Sequence, residues 1–146
     1  MKLVVQRVSQ AQVTVDGRCV SSIGKGLLVF LGVSVGDTEK EADYLLNKVI
    51  NLRIFEDLHG KMNLSLIDDN LELLVISQFT LYGDCRKGRR PSFTSAMHPD
   101  RAQQLYNYFI DQARTAGVIV QQGIFGAHMN VSLVNDGPVT FIIESI

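Results

Sequence analysis

Two short segments hold the groups best placed for chemistry. Ser77-Gln78-Phe79-Thr80 closes an apolar run that starts at Leu71. Where a buried strand meets a loop, backbone amides stop pairing within the sheet and are free to face a ligand, so this is a candidate oxyanion site. Thr80 also offers a hydroxyl that could attack a carbonyl. A threonine nucleophile needs an activating base, however, and no His or Lys stands at a motif spacing from it. The second segment is Asn135-Asp136-Gly137-Pro138. Glycine tolerates backbone angles closed to other residues and proline has no N–H, so carbonyls here can stay unpaired and point outward. Taken singly, the first segment also reads as an ordinary strand end and the second as an ordinary turn.

A third feature, Arg86-Lys87-Gly88-Arg89-Arg90, is the one concentrated positive patch, and it follows the first segment directly. It could meet phosphates, and a solvated basic loop accounts for it as well. His59, His98 and His128 fall at no ligand spacing, and Cys19 and Cys85 are too few and too far apart for a zinc site. No metal or other cofactor is implied. The two cysteines are expected to be free thiols in a reducing compartment, which points to the cytoplasm.

The elements that must position these groups follow from periodicity. Val4, Gln6 and Val8, then Ala11, Val13 and Val15, alternate up to Asp16-Gly17, which predicts an opening hairpin with 18–23. Leu27 to Val33 is continuously apolar, as in a strand covered on both faces. Thr38 with Glu41 forms a capping-box pattern ahead of Ala42, Leu45, Leu46 and Val49, predicting a helix over 38–51. Short strands are expected at 53–55 and 118–124, and a long central strand over 71–81. Residues 82–98 read as a long surface loop. Pro99, Asp100 and the stripe Ala102, Leu105, Tyr106, Phe109 predict a second helix ending near Gly117. Strands at 129–134 and 139–143 are expected to form a closing hairpin through 135–138. The order predicts one α/β domain over 1–146: three layers, with mixed, mostly antiparallel sheets or a partly closed barrel and two helices on one side.

Composition narrows the partners. The chain has 146 residues and a formal net charge of −1, with 14 Lys and Arg against 15 Asp and Glu. A near-neutral surface cannot wrap nucleic acid broadly, since that affinity comes from many phosphate contacts. Any such contact is local. No apolar run approaches the ~20 residues that span a bilayer, and residues 1–7 do not resemble an export signal. No membrane partner is expected.

The two segments together, with Gln6-Arg7-Val8 near the start and Arg89-Arg90-Pro91-Ser92-Phe93 in the loop, resemble one family over nearly the whole chain. It is the bacterial and eukaryotic D-aminoacyl-tRNA deacylases, also called D-tyrosyl-tRNA deacylases, and the resemblance rests most on Ser77 to Leu81 paired with Val134 to Thr140. The resemblance implies a homodimer with its active sites at the subunit interface. Ser77, Gln78, Phe79 and Thr80 would form the catalytic pocket. Gly137 and Pro138, a cis pair in that family, would reach into the partner's pocket as a chirality filter braced by Arg7. Arg86, Lys87, Arg89 and Arg90 would touch tRNA near its aminoacylated 3′ end. The implied reaction is hydrolysis of the D-aminoacyl ester, assisted by the terminal ribose hydroxyl and needing no cofactor. A main-chain wall that rejects only an L side chain cannot exclude glycine, so glycyl-tRNA(Ala) is an expected substrate as well. The competing readings are a non-catalytic RNA-binding homodimer and an esterase with Thr80 as nucleophile.

Overall fold

The computed structural model describes residues 1–146. In chain order its elements are β1 (Lys2–Val15), β2 (Arg18–Ile23), β3 (Gly26–Gly32), α1 (Glu39–Asn51), β4 (Phe55–Glu56), β5 (Met62–Leu64), β6 (Glu72–Ser77), a 3₁₀ turn (Phe79–Tyr82), α2 (Pro99–Thr115), β7 (Ile119–Gln122) and β8 (Asn130–Glu144). β1 and β2 form the expected hairpin. Asp16 and Gly17 at its tip have φ of 49° and 76°, as a two-residue turn matched to strand twist requires.

β8 pairs antiparallel with β1 from Lys2 to Thr14 and so occupies one whole edge of that strand. A strand has two edges, and β2 and β3 therefore follow one another along the second. Ile23 lies opposite Ala11, and Gly26 opposite Val8. Beyond β3 the sheet turns parallel, first with β6 and then with β7. It curls until β2 also approaches β6 and β7, giving a nearly closed mixed sheet. β4 and β5 make a separate small hairpin.

Both helices pack on one side, as their apolar stripes demand. Thr38 caps α1: its hydroxyl accepts from Lys40 N while Glu41 accepts from Thr38 N at 2.7 Å, and Ala42, Leu45, Leu46, Val49 and Ile50 turn inward. Pro99 opens α2, which buries Ala102, Leu105, Tyr106, Phe109, Ile110 and Ala113. These residues form one core with Leu27, Val29 and Leu31 of β3, while Leu28 belongs to a second, smaller core inside the curl with Val8, Val13, Leu74 and Ile76. β3 is thus covered on both faces, which explains its unbroken apolar run. Each fully buried Leu or Val there contributes about 1.5–3 kcal/mol.

Three expectations are corrected. The central strand stops at Ser77 rather than Leu81, because the chain turns into the 3₁₀ turn. The strand expected at 53–55 shrinks to the two residues Phe55–Glu56. Most consequentially, 129–143 is no hairpin: 130–135 and 140–144 lie end to end along β1, and residues 136–139 are squeezed out between them. Gln6 pairs with Thr140 and Val8 with Asn135, so the register slips at Arg7. A turn composition placed inside a strand reads like a hairpin because both call for the same residues.

Candidate active site

β6 delivers Ser77 to the end of the sheet, where Gln78 N makes the last rung with Leu31 O at 2.8 Å. The chain then winds into the 3₁₀ turn, closed by Leu81 N donating to Gln78 O (3.3 Å) and Gly83 N to Thr80 O (2.9 Å). The first amides of such a turn find no acceptor inside it. No loop carbonyl or side chain receives a hydrogen bond from Phe79 N–H or Thr80 N–H, so both donors remain unpaired. Gln78 Nε2 donates to Thr80 Oγ1. The neighbour of that hydroxyl is an amide donor, which cannot accept a proton from it.

Ser77, Gln78 and Phe79 open onto a cavity of about 620 Å³, whereas Thr80 stays outside its lining. Its walls are largely apolar: Phe93 and Met97 from the 83–98 loop, Tyr106 from α2, and Phe125 and Met129 from the segment before β8. Phe79, 58% exposed, meets Phe93 edge to face with ring centroids 5.0 Å apart, so two aromatic rings stand at the mouth. Tyr106 Oη donates to Val75 O at 2.8 Å, and burial pushes its phenol pKa above the usual range. This hydroxyl is a structural donor that fixes α2 to β6.

The second predicted group is built quite differently. Arg7 is 5% exposed; its Nε donates to Asp136 O at 3.0 Å and its Nη1 to Ile54 O at 2.7 Å. Asn135 spans the base of the squeezed-out residues, accepting from Val139 N at 2.7 Å and donating to Thr140 Oγ1 at 3.0 Å. Gly137 has φ of +145° and the Gly137-Pro138 peptide is cis. Neither residue lines the cavity of its own chain. In register Arg7 faces Leu27, while Ser77 faces Leu31, four residues further along. At ~3.3 Å per residue and ~4.8 Å per strand spacing, the two groups stand roughly 13 Å apart along the strands and up to roughly 14 Å across them.

The basic loop is partly spoken for. Asp84 and Ser92 bridge its base, and Arg86 grips Asp84 in a fork, Nε to Oδ1 at 2.9 Å and Nη2 to Oδ2 at 2.7 Å. Hydrogen bonds from that guanidinium hold the Asp84 carboxyl down to about 2. Lys87, Arg89 and Arg90 make no ion pair and are exposed beyond the clasp.

Sequence reasoning missed most of the cavity wall, including His98 and His128, which both line it. It also missed Asn135 as a clamp and the Ile54 carbonyl as an anchor. Capping and periodicity give no signal for a residue whose partner lies far away in the chain. A polar side chain beside the Gly-Pro pair was the only available hint.

Comparison with known proteins gives the family of the whole chain. The family described as D-Tyr-tRNA(Tyr) deacylase matches residues 4–144. Proteins named D-aminoacyl-tRNA deacylase from Geotalea uraniireducens (strain Rf4) and Syntrophus aciditrophicus (strain SB) are 61% and 62% identical over 145 residues. The matches cover 99% of this chain and 94% and 97% of theirs. Among solved structures, one named c-Myc DNA Unwinding Element Binding Protein superposes with a TM-score of 0.95 at 46% identity, covering 100% of this chain and 99% of that one. A probable eukaryotic D-amino acid tRNA deacylase shares the fold, with a TM-score of 0.86 at 19% identity and 98% of each chain covered. These matches define a class, enzymes that remove amino acids from tRNA. The chain belongs to the D-Tyr-tRNA(Tyr) deacylase family.

Proposed function

We propose that this protein hydrolyses the ester of D-aminoacyl-tRNA, and of glycyl-tRNA(Ala), releasing the amino acid and reusable tRNA in the cytoplasm. The observation that carries the reading is the pair of unpaired amides, Phe79 N–H on the lining of a mostly apolar cavity and Thr80 N–H next to it in the chain, in a member of this family. Donors fixed before the reaction stabilise the oxyanion of an attacked ester, each typically by ~3–4 kcal/mol. The ester is already reactive. Orienting it and placing the neighbouring ribose hydroxyl beside its carbonyl supplies the remaining rate through proximity, with no protein nucleophile.

Selection between enantiomers would come from Gly137 and Pro138 of a second copy. Two observations support a homodimer. These residues are too distant from their own cavity to wall it, and β8 offers an open edge fifteen residues long with Val134, Phe141 and Ile142 exposed on it. Such an edge invites coverage. Arg7 and Asn135 would keep the wall rigid, and Lys87, Arg89 and Arg90 would meet acceptor-stem phosphates.

The test is turnover by purified protein of matched D- and L-tyrosyl-tRNA and of glycyl-tRNA(Ala). Release from the D-form and from glycine, with the L-form left intact, is the expected result. Equal release from both enantiomers would remove the filter from the proposal. Absence of any release, with tRNA still bound, would leave the non-catalytic RNA binder.

A further inference from the structure

The 3₁₀ turn is not held by its own two hydrogen bonds alone; it rests on the end of β3. A Cβ built on Gly32 would lie 3.0 Å from Leu81 Cβ, 3.1 Å from Gln78 O and 3.3 Å from Tyr82 Cδ2. The turn therefore sits directly on a bare backbone, closer than a side chain at position 32 would leave undisturbed. The seat extends one strand further. Lys2, paired with Gly32 across the ladder, places its ammonium 5.3 Å from the centre of the Tyr82 ring. On β3 itself, Leu31 O beside Gly32 accepts from Gln78 N at 2.8 Å.

We infer that Gly32 is a positioning residue for hydrolysis: by leaving its Cβ space empty it sets the height of the Gln78–Tyr82 turn, and with it the aim of the Phe79 and Thr80 amides. The inference rests on the function proposed above. Its physical basis is that each of the three clashes is small. At 3.0–3.3 Å the neighbours can yield by a few tenths of an ångström, so alanine here moves the turn rather than wrecking the sheet. Gly26 shows the contrast: a Cβ there would lie 1.9 Å from Glu72 O, a distance no relaxation absorbs. Oxyanion donors act through close geometry, and a misplacement of about 1 Å costs on the order of 100-fold. A few tenths of an ångström should therefore cost roughly 10-fold.

The experiment compares Gly32→Ala with the native protein and with Gly24→Ala, where the added Cβ meets only Glu72 Oε2 at an ordinary 3.5 Å. D-Tyrosyl-tRNA is the substrate, and the amide ¹H–¹⁵N resonances of Phe79 and Thr80 are followed alongside. Expected for Gly32→Ala is a kcat about 10-fold lower at a KM within about twofold, a melting temperature close to native, and shifted Phe79 and Thr80 resonances. Gly24→Ala should match the native protein in all of these. Native kcat in Gly32→Ala overturns the inference, and so does a general loss in which kcat and melting temperature fall while KM rises. If Gly32→Ala does not fold, Tyr82→Leu alters the same seat from the other side and must lower kcat at unchanged KM; native kcat from it is equally fatal. If the native protein itself releases nothing, the proposed function fails instead, and the resonance shifts still report whether Gly32 sets the turn.

Discussion

The Phe79–Tyr82 turn and the squeezed-out residues 136–139 both interrupt the regular course of a strand, yet they are built on opposite plans. The turn leaves two N–H groups with nothing to bond and is located by empty space above Gly32. The 136–139 segment leaves little loose: Arg7 and Asn135 tie its backbone at Asp136 and Val139 through buried or half-buried side chains. A group that must act on a developing charge has to be unpaired beforehand, because a donor already engaged would first have to let go. A group that must exclude by contact has to be immobile, because a wall that yields rejects nothing. The difference teaches that one region keeps its donors free while the other has its backbone tied down.

The contrast breaks most visibly at Arg7. Arg7→Ala strands the Ile54 and Asp136 carbonyls and opens a void at a site 5% exposed, so unfolding free energy measured in urea should fall by about 3 kcal/mol or more. Preference for D- over L-tyrosyl-tRNA should shrink with it. A protein that keeps both its stability and its preference would show that the wall stands without its brace.

Asn135→Ala removes only the clamp across the base, so a smaller loss of about 1–2 kcal/mol is expected. Discrimination should fall while kcat on the D-form holds, because the turn is untouched. A fall in kcat with discrimination intact would show that the two regions are not separable as described.

Next in size is the basic loop. Changing Lys87, Arg89 and Arg90 together to alanine should flatten the dependence of log affinity on log salt by about 2–3, at ~0.7 per phosphate for single strands and ~0.9 for a duplex. Arg86→Ala alone should leave that slope near native, since its charge is answered by Asp84. Because the Asp84 carboxyl is depressed, the clasp is closed above the ordinary carboxylate range and loosens only as pH falls toward about 2, so this difference should persist across neutral pH.

The smallest effect is expected at Thr80. With Gln78 as its neighbour in place of a base, the hydroxyl is dispensable, and Thr80→Ala should keep kcat within about fivefold, below the ~10²-fold cost of losing an oxyanion donor. Near-complete loss of turnover with intact tRNA binding would restore the Thr80 nucleophile.

Much of this was legible beforehand, for local reasons. The capping box at Thr38 and Glu41, Pro99 at the head of α2, the Asp16-Gly17 turn and the two-sided β3 each depend on residues close in sequence, and each stands as expected. The site segments stood out by being found together: singly they read as an ordinary strand end and an ordinary turn, and the pairing of Ser77 to Leu81 with Val134 to Thr140 is what carried the resemblance. Where the reading erred, the deciding partner was remote. Leu71 to Leu81 reads as strand throughout, but only contact with Gly32 and Leu31 shows the chain folding over after Ser77. Residues 135–138 compose a turn, and only the long reach of β1 straightens their flanks into one strand.

The amino-acid order by itself therefore determined which groups are present: amides at a strand end, a Gly-Pro pair, an arginine able to brace it, and a charge too balanced for broad nucleic-acid binding. Tertiary structure decided which of them are free. Whether an N–H is spent or available, whether Arg86 faces solvent as a charge or as half of a pair, and whether Gly137-Pro138 can reach its own cavity all depend on neighbours tens of residues away. Hydrogen bonds and steric exclusion act over a few ångströms of space, and separation along the chain does not report that distance.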